Sequence, residues 1–378
     1  MFTDPDTPVT GRPHTPDLGA LMPKIEQVFA RQWLSNNGPE LQALESMFAS
    51  LTHSKHCIAV ANATLGLLVT LKALDIQPEG QKVLLPAFTF PATATILPWM
   101  GLEPLFVDVD LETHTLSPDT IRPHLSEVGA ILHVNTWGNL KHTAAIEALA
   151  ESHAIPLVCD SAHAVACALD GRFAGAFGRA EVFSLHATKF VHGLEGGLIT
   201  TDDAQLAKKI RALINFGQVN QELRWCGINA KMNEVSACVA AHNLSHHQEL
   251  VAHNRELYAA YKKGLKGVPG LKFYPHQRGS NYQYMVLEVF EHYGHSAEQL
   301  QQQLARANIH ARRYFSPLHL SPAFSKSKSK LVLPHTEALG ERVLILPGGG
   351  AMSGRQVQNI TQKIVELCQA ETRAMPSA

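Results

Sequence analysis

The sequence predicts an α/β fold: a large domain on a mainly parallel seven-stranded sheet covered by helices, plus a smaller C-terminal α+β domain. Three observations lead there. Between residues 57 and 201, near-continuous apolar runs of strand length alternate with helical patterns, as parallel strands buried on both faces require. Several runs end on a polar or ionisable residue, at the strand termini where ligands gather in such sheets. From about His246 the alternation gives way to a long helical pattern with few strands after it.

Taken in order, residues 1–20 are polar and proline-rich and read as an arm lying on the surface or reaching a neighbour. They resemble neither a secretory signal nor a membrane span. Met22–Gln32 reads as a short amphipathic helix, broken by Ser35-Asn36-Asn37-Gly38-Pro39. Glu40–Leu51 carries Leu41, Leu44, Met47, Phe48 and Leu51 at the spacing of one buried helix face. The strand candidates are Cys57–Ala61, Val83–Pro86, Leu105–Val107, Ala130–Val134, Pro156–Cys159, Glu181–Ser184 and Leu198–Thr201, with helical patterns at Thr64–Leu74, Lys141–His153 and Ala204–Ile214. Residues 21–245 therefore form the large domain. Residues 246–378 form the small one: a helix to Leu265, strand-like Gln283–Val289, a helix over Ala297–Ala307, then Ile309–Phe315, Val343–Leu346 and a closing helix. Ser325–Lys330, alternating serine and lysine, reads as a polar loop.

Composition narrows the function. A chain of 378 residues with 45% hydrophobic and 17% charged residues is globular with a sizeable interior. A net charge of −1 argues against nucleic acid or an anionic membrane as the main partner. No segment has the uninterrupted apolar length of a spanning helix. The six cysteines lack ligand-like spacing, and the 21 histidines form no HExxH, so no metal site is expected. Gly348-Gly349-Gly350 lacks the lysine of a P-loop and reads as a turn. The expectation is a reduced, cytoplasmic protein.

The chemistry centres on Val182–Leu198. Lys189 follows the end of an apolar strand, a position where a deprotonated amine can attack an aldehyde carbon and form a Schiff base. Leu157-Val158-Cys159-Asp160 ends a second strand on a carboxylate suited to a pyridine nitrogen. Lys189 and Asp160 are therefore expected to hold the two ends of one pyridoxal phosphate ring. The plainer alternatives are a solvated surface lysine and a helix-capping aspartate.

Eight segments then carry a resemblance: WLSNNG at 33–38, VANATLGLL at 60–68, PAFTFPATA at 86–94, CDSAHA at 159–164, FSLHATK at 183–189, EGG at 195–197, GINAKMNE at 227–234 and RYFSPLH at 313–319. In this order they resemble the DegT/StrS nucleotide-sugar aminotransferases, pyridoxal-phosphate enzymes of the aspartate aminotransferase fold (fold type I). The likeness runs from about Trp33 to beyond Pro347, nearly the whole chain. It implies that Lys189 carries the cofactor and shuttles the proton, and that Asp160 keeps the pyridine nitrogen protonated. His163 would lie near the ring's 3-oxygen and Phe90 on its open face. Ala63, Thr64 and Ser184 would hold the phosphate, as a helix start does. Ala63 departs from the family's glycine. Asn229 would reach the phosphate of a neighbouring subunit, which implies an obligate homodimer with shared active sites; Lys231 stands there for the family's arginine. Substrate contacts are expected from Trp33, Asn135, Trp137, Glu195, Arg313, Tyr314, His319 and Lys328, against the plainer reading of solvated loops and packed strands.

The resemblance implies transfer of an amino group from L-glutamate, leaving 2-oxoglutarate and pyridoxamine 5'-phosphate, to a nucleotide-linked keto-sugar. The lysine, where sugar dehydratases of this fold have histidine, favours transamination. The HATK form of the motif resembles members that aminate C4 of dTDP-4-keto-6-deoxyhexoses, which points to amino-sugar biosynthesis such as that of lipopolysaccharide O-antigen. Two rivals stay open. One is another fold-type-I enzyme, an amino-acid aminotransferase or lyase that uses Arg313 or Arg342 to hold a carboxylate. The other is a non-catalytic regulatory relative.

Overall fold

The computed structural model describes residues 4, 6–76, 82–324 and 331–374, with side chains to 369. Seven strands form the large sheet: β1 (His56–Val60), β2 (Lys82–Pro86), β3 (Glu103–Val107), β4 (Val128–Val134), β5 (Leu157–Asp160), β6 (Ala180–Ser184) and β7 (Gly197–Thr201). Their order is β1-β7-β6-β5-β4-β2-β3. Every pair from β6 to β3 is parallel, while β7 runs antiparallel to both of its neighbours. The sheet is thus mainly parallel, and its strands are apolar because both faces are covered.

The covering helices are α1 (Leu18–Ala30), α2 (Pro39–Thr52), α3 (Ala63–Ala73), α4 (Pro91–Trp99), α5 (Thr143–Ser152), α6 (Ala204–Leu213) and α7 (Glu234–Ser245). Leu44 and Phe48 of α2, Ile146 of α5 and Ala240 of α7 pack on one face of the sheet. Leu67 and Leu71 of α3, Leu97 of α4 and Ile210 of α6 pack on the other. Two of the recognised segments meet at the start of α2. The Glu234 carboxylate accepts from Glu40 N (2.9 Å) and Leu41 N (3.0 Å), satisfying two N–H groups that a helix start leaves unpaired. Gly38 is required there, because a Cβ would lie 2.5 Å from the Glu234 carboxyl.

Beyond α7 the chain enters α8 (His247–Gly264) and an antiparallel sheet of β8 (Leu271–Phe273), β9 (Met285–Val289) and β10 (Val343–Leu346), with helices α9 (Ala297–Arg306), α10 (Pro334–Arg342) and α11 (Gly354–Ala374). Leu257, Tyr261, Leu287, Leu300, Leu344 and Ile360 form its core. Two local expectations change. The extended Ile309–Phe315 run forms no strand, only two isolated bridges, His310 to Val9 and Arg312 to Ile345. The arm is partly internal: Thr7, Val9 and Thr10 are buried, Val9 bridges His310, and the Thr10 hydroxyl donates to Ile345 O.

Candidate active site

The carboxyl ends of β1, β2, β4, β5 and β6 open on one rim of the sheet, and a cavity of about 740 Å³ lies there. This volume is that of a site for a cofactor-sized molecule. The cavity brings together Ala63, Thr64, Phe90, Asp160, His163, Ser184, Lys189, Glu195 and Tyr314.

Helix α3 presents its first turn to the cavity. Its N-cap is Asn62, whose Oδ1 accepts from Leu65 N at 2.9 Å, so Thr64 is the second helical residue and not the cap. The N–H groups of Ala63 and Thr64 belong to that unpaired first turn, where an anion is favoured. The backbone of β7 passes close beneath: a Cβ on Gly197 would stand 2.8 Å from Ala63 N, so only glycine lets strand and helix start approach this closely. Ser184 adds a hydroxyl from the end of β6.

Asp160 is buried, with Oδ2 accepting from the Thr93 hydroxyl at 2.7 Å and Oδ1 from Ala162 N at 3.1 Å. Burial raises its pKa above the ordinary carboxylate value, and the Thr93 hydroxyl, the Ala162 N–H and the Lys189 charge pull in the other direction. Lys189 ends a tight turn, its N–H donating to His186 O at 2.8 Å, and its Nζ donates to the Tyr284 hydroxyl at 3.3 Å. Burial lowers the lysine pKa to about 8, against the opposing pull of Asp160. A surface lysine holds its proton too tightly to act as a base near neutrality; this one does not.

His163 is kept neutral by burial and by the positive charge of Lys189. Its Nδ1 accepts from Trp137 N at 3.2 Å, so the ring proton sits on Nε2. Behind it Trp137 stacks on His163 (5.6 Å, 16°) and on Phe315 (5.3 Å, 6°). Phe90 caps α4 and is largely exposed at the cavity mouth. Glu195 lies 3.6 Å from His186 Nε2.

Other residues expected to touch substrate lie elsewhere. Asn135 is fully buried, donating to Ser161 Oγ and accepting from Thr143 Oγ1 (both 2.8 Å). Trp137 is also fully buried, its indole N–H donating to His114 Nδ1 at 3.1 Å. Both support the cavity from beneath instead of facing it. Arg313 points away, donating to Gly340 O at 2.7 Å and lying 3.6 Å from Glu298. His319 is buried against Glu337, at 3.1 Å. Trp33 and Asn229 are exposed and line no part of this cavity, and Lys328 lies outside the described residues.

Conversely, the cavity contains residues that the sequence reading did not single out: Arg312, Tyr284 and His186, with Thr93 just behind Asp160. Arg312 was findable. In an extended segment alternate side chains share a face, so Arg312 accompanies Tyr314, to whose hydroxyl it donates at 3.1 Å, and Arg313 takes the opposite face. Arg342, the other arginine considered for a carboxylate, is bound to Glu288 at 2.7 Å.

The residues fit pyridoxal phosphate: a buried carboxylate, a buried amine of lowered pKa and a helix start share one cavity of suitable size. Comparisons with known proteins agree. Residues 19–365 match the model of the DegT/DnrJ/EryC1/StrS aminotransferase family. Among solved structures, DesI in the presence of its TDP-sugar product is similar, at 35% identity over 98% of this chain and 95% of that one, with a TM-score of 0.91. The aminotransferase TlmJ from Streptoalloteichus hindustanus is 27% identical over 97% and 99% of the two chains, with a TM-score of 0.88. Spr1654 from Streptococcus pneumoniae in its PMP form shares the fold, at 21% identity over 99% of both chains and a TM-score of 0.89. This chain therefore belongs to the DegT/DnrJ/EryC1/StrS aminotransferase family and is a pyridoxal-phosphate-dependent sugar aminotransferase.

Proposed function

We propose that the enzyme moves the amino group of L-glutamate to C4 of dTDP-4-keto-6-deoxy-D-glucose, giving a dTDP-4-amino-4,6-dideoxyhexose. The observation that carries this reading is the pairing of Lys189 and Asp160 in one cavity, in a chain whose 35%-identical relative was solved with a TDP-sugar product. The HATK motif supports the C4 position.

When bound, pyridoxal phosphate supplies an electron-withdrawing ring that makes a proton on the adjoining substrate carbon removable. Lys189, with its pKa near 8, would take that proton and return it to a carbon two atoms away, as general base and then general acid. Asp160 would keep the ring nitrogen protonated. The Thr93 hydroxyl and the Ala162 N–H fix the carboxylate so that it needs no rearrangement to do so. Ala63, Thr64 and Ser184 would hold the phosphate, Phe90 would cover the open ring face, and His163 would offer its Nε2–H to the ring substituents. Tyr314 and Glu195 contact the substrate. Asn229 serves the phosphate in a second copy of the chain. Its exposure outside its own cavity, beside exposed Phe216 and with Trp33 and Phe29 also exposed, supports a homodimer. The protein works in the cytoplasm, where nucleotide sugars for surface polysaccharides such as O-antigen are made.

A spectral titration tests the substrate. Adding dTDP-4-keto-6-deoxyglucose to the pyridoxamine-phosphate form restores absorbance near about 400–430 nm, and NMR of the product finds nitrogen on C4. Recovery with ordinary 2-oxo acids alone would reject the sugar reading, and nitrogen on C3 would reject the regiochemistry.

A further inference from the structure

Lys189 lies in the wall between two cavities. The large one is the site described above; behind the lysine is a second, of about 30 Å³. The second is closed by the arm, at Gly11, Arg12 and His14, and by Asn254 of α8 and Gln283 ahead of β9. Three of these side chains leave a buried polar atom without a partner among the described residues: Arg12 Nε, Asn254 Oδ1 and Gln283 Oε1.

Their other polar groups are engaged, which sets their orientation. Asn254 Nδ2 donates to Asn281 O at 3.1 Å, Gln283 Nε2 donates to Thr188 O at 2.9 Å, and an Arg12 terminal nitrogen donates to Asp4 O at 3.0 Å. The two amides therefore offer the cavity their oxygens, and the guanidinium offers an N–H. Asn254 is only 2% exposed, so bulk water does not reach that oxygen. Leaving such groups unpaired is costly, because each has given up its hydrogen bonds to water without replacement.

Two acceptors and one donor match one small molecule. Water donates twice and accepts twice, and needs roughly 10–15 Å³ of such space with two to four polar partners. A metal cation suits the two oxygens but not the guanidinium beside them.

We propose that an ordered water occupies this chamber, donating to Asn254 Oδ1 and Gln283 Oε1 and accepting from Arg12 Nε–H and from the Lys189 amine. The titratable groups facing the chamber are Arg12, His14, Lys189 and Tyr284. Burial holds His14 near a pKa of about 4 and pushes the Tyr284 hydroxyl up, so both are neutral at working pH. The water's fourth hydrogen-bonding position is thus the lysine's solvation from behind, kept when cofactor and substrate fill the front. It favours the ammonium form, and the arm is the lid that retains it. The inference does not depend on which sugar is used.

The test is a crystal structure of the cofactor-loaded enzyme at a resolution that places water oxygens, joined to a titration of Lys189 in the pyridoxamine-phosphate form. That titration is read from the pH dependence of its acetylation by acetic anhydride. One water oxygen is expected within hydrogen-bond reach of all three orphaned atoms. Gln283→Met and Asn254→Leu are expected to lower the Lys189 midpoint by about half to one pH unit. An empty chamber overturns the proposal even if neither variant folds, and so does a filled chamber with an unmoved midpoint in folded variants.

Discussion

Replacing Asp160 with asparagine isolates the carboxylate's charge from its shape. Both oxygens accept in the native site, from the Thr93 hydroxyl and from Ala162 N. Asparagine keeps one acceptor for Ala162 N and turns its NH2 toward Thr93. The Thr93 hydroxyl can then accept and re-aim its proton at Thr89 Oγ1, 3.0 Å away. The lost charge-assisted bond is offset by relief of a buried carboxylate whose pKa burial already raises, so stability without cofactor should change by no more than about 1 kcal/mol. Turnover should not escape. A hydrogen bond to a charged group contributes about 1.5–3 kcal/mol net, and losing it in the transition state slows the reaction about 10- to 150-fold. The neutral amide also cannot keep the ring nitrogen protonated, so this range is a floor. Asp160 further holds the proton on Lys189, so the lysine midpoint in the cofactor-free variant should fall below its value of about 8. The assay is the single-turnover half-reaction with glutamate, followed spectrally, with cofactor content measured after denaturation. A fully loaded variant within about three-fold of the wild-type rate would refute the reasoning.

Arg312→Gln should raise KM for the anionic substrate about ten-fold or more, whereas Arg313→Gln should leave KM unchanged, because only Arg312 faces the cavity; steady-state kinetics on both variants decides this. Trp137→Phe removes the indole N–H donor to buried His114 and should cost about 1–2 kcal/mol in urea unfolding, with KM unmoved. A large rise in KM would restore Trp137 as a substrate contact. Glu181 is buried, accepts from Ser161 Oγ, Gly175 N and Phe177 N, and has its pKa raised by burial to about 7. Its protonated form therefore contributes stability that is complete below the unfolded value of 4.5 and is lost as pH rises through about 7. Urea unfolding of Glu181→Gln across that window should lack the component, and an identical pH slope in the two proteins would contradict the assignment.

Much of the frame was legible because strand-end logic is local. An apolar run that stops on Asp160, or on Ser184 just before Lys189, already says which rim the side chain occupies, since the sheet is parallel there. What failed lay where local pattern carries no depth. Asn135 and Trp137 also follow a strand, but Trp137 takes a left-handed backbone (φ 59) that folds the turn down beneath His163. Nothing in the residue type announces that conformation. Thr93 was hidden for the opposite reason. It looks like an ordinary residue in the first turn of α4, and only the convergence of α4 on β5 sets its hydroxyl on Asp160.

The same contrast explains how one lysine acquires its chemistry. Its amine must be buried enough to lose a proton near neutrality, yet must regain that proton within each cycle. Burial alone would drive the pKa further down, and a close carboxylate alone would hold the proton fast. Here the two act together: burial beside the Tyr284 hydroxyl at 3.3 Å lowers the pKa, and the Asp160 charge across the cavity raises it. The balance near a pKa of about 8 depends on that separation being maintained. Asp160 is fixed by Thr93 and Ala162, and Lys189 by a turn that hydrogen-bonds back to His186. The rigidity of the sheet rim is therefore part of the acid–base chemistry. A substitution that loosens either anchor, such as Thr93→Val, should shift the lysine titration without touching the lysine.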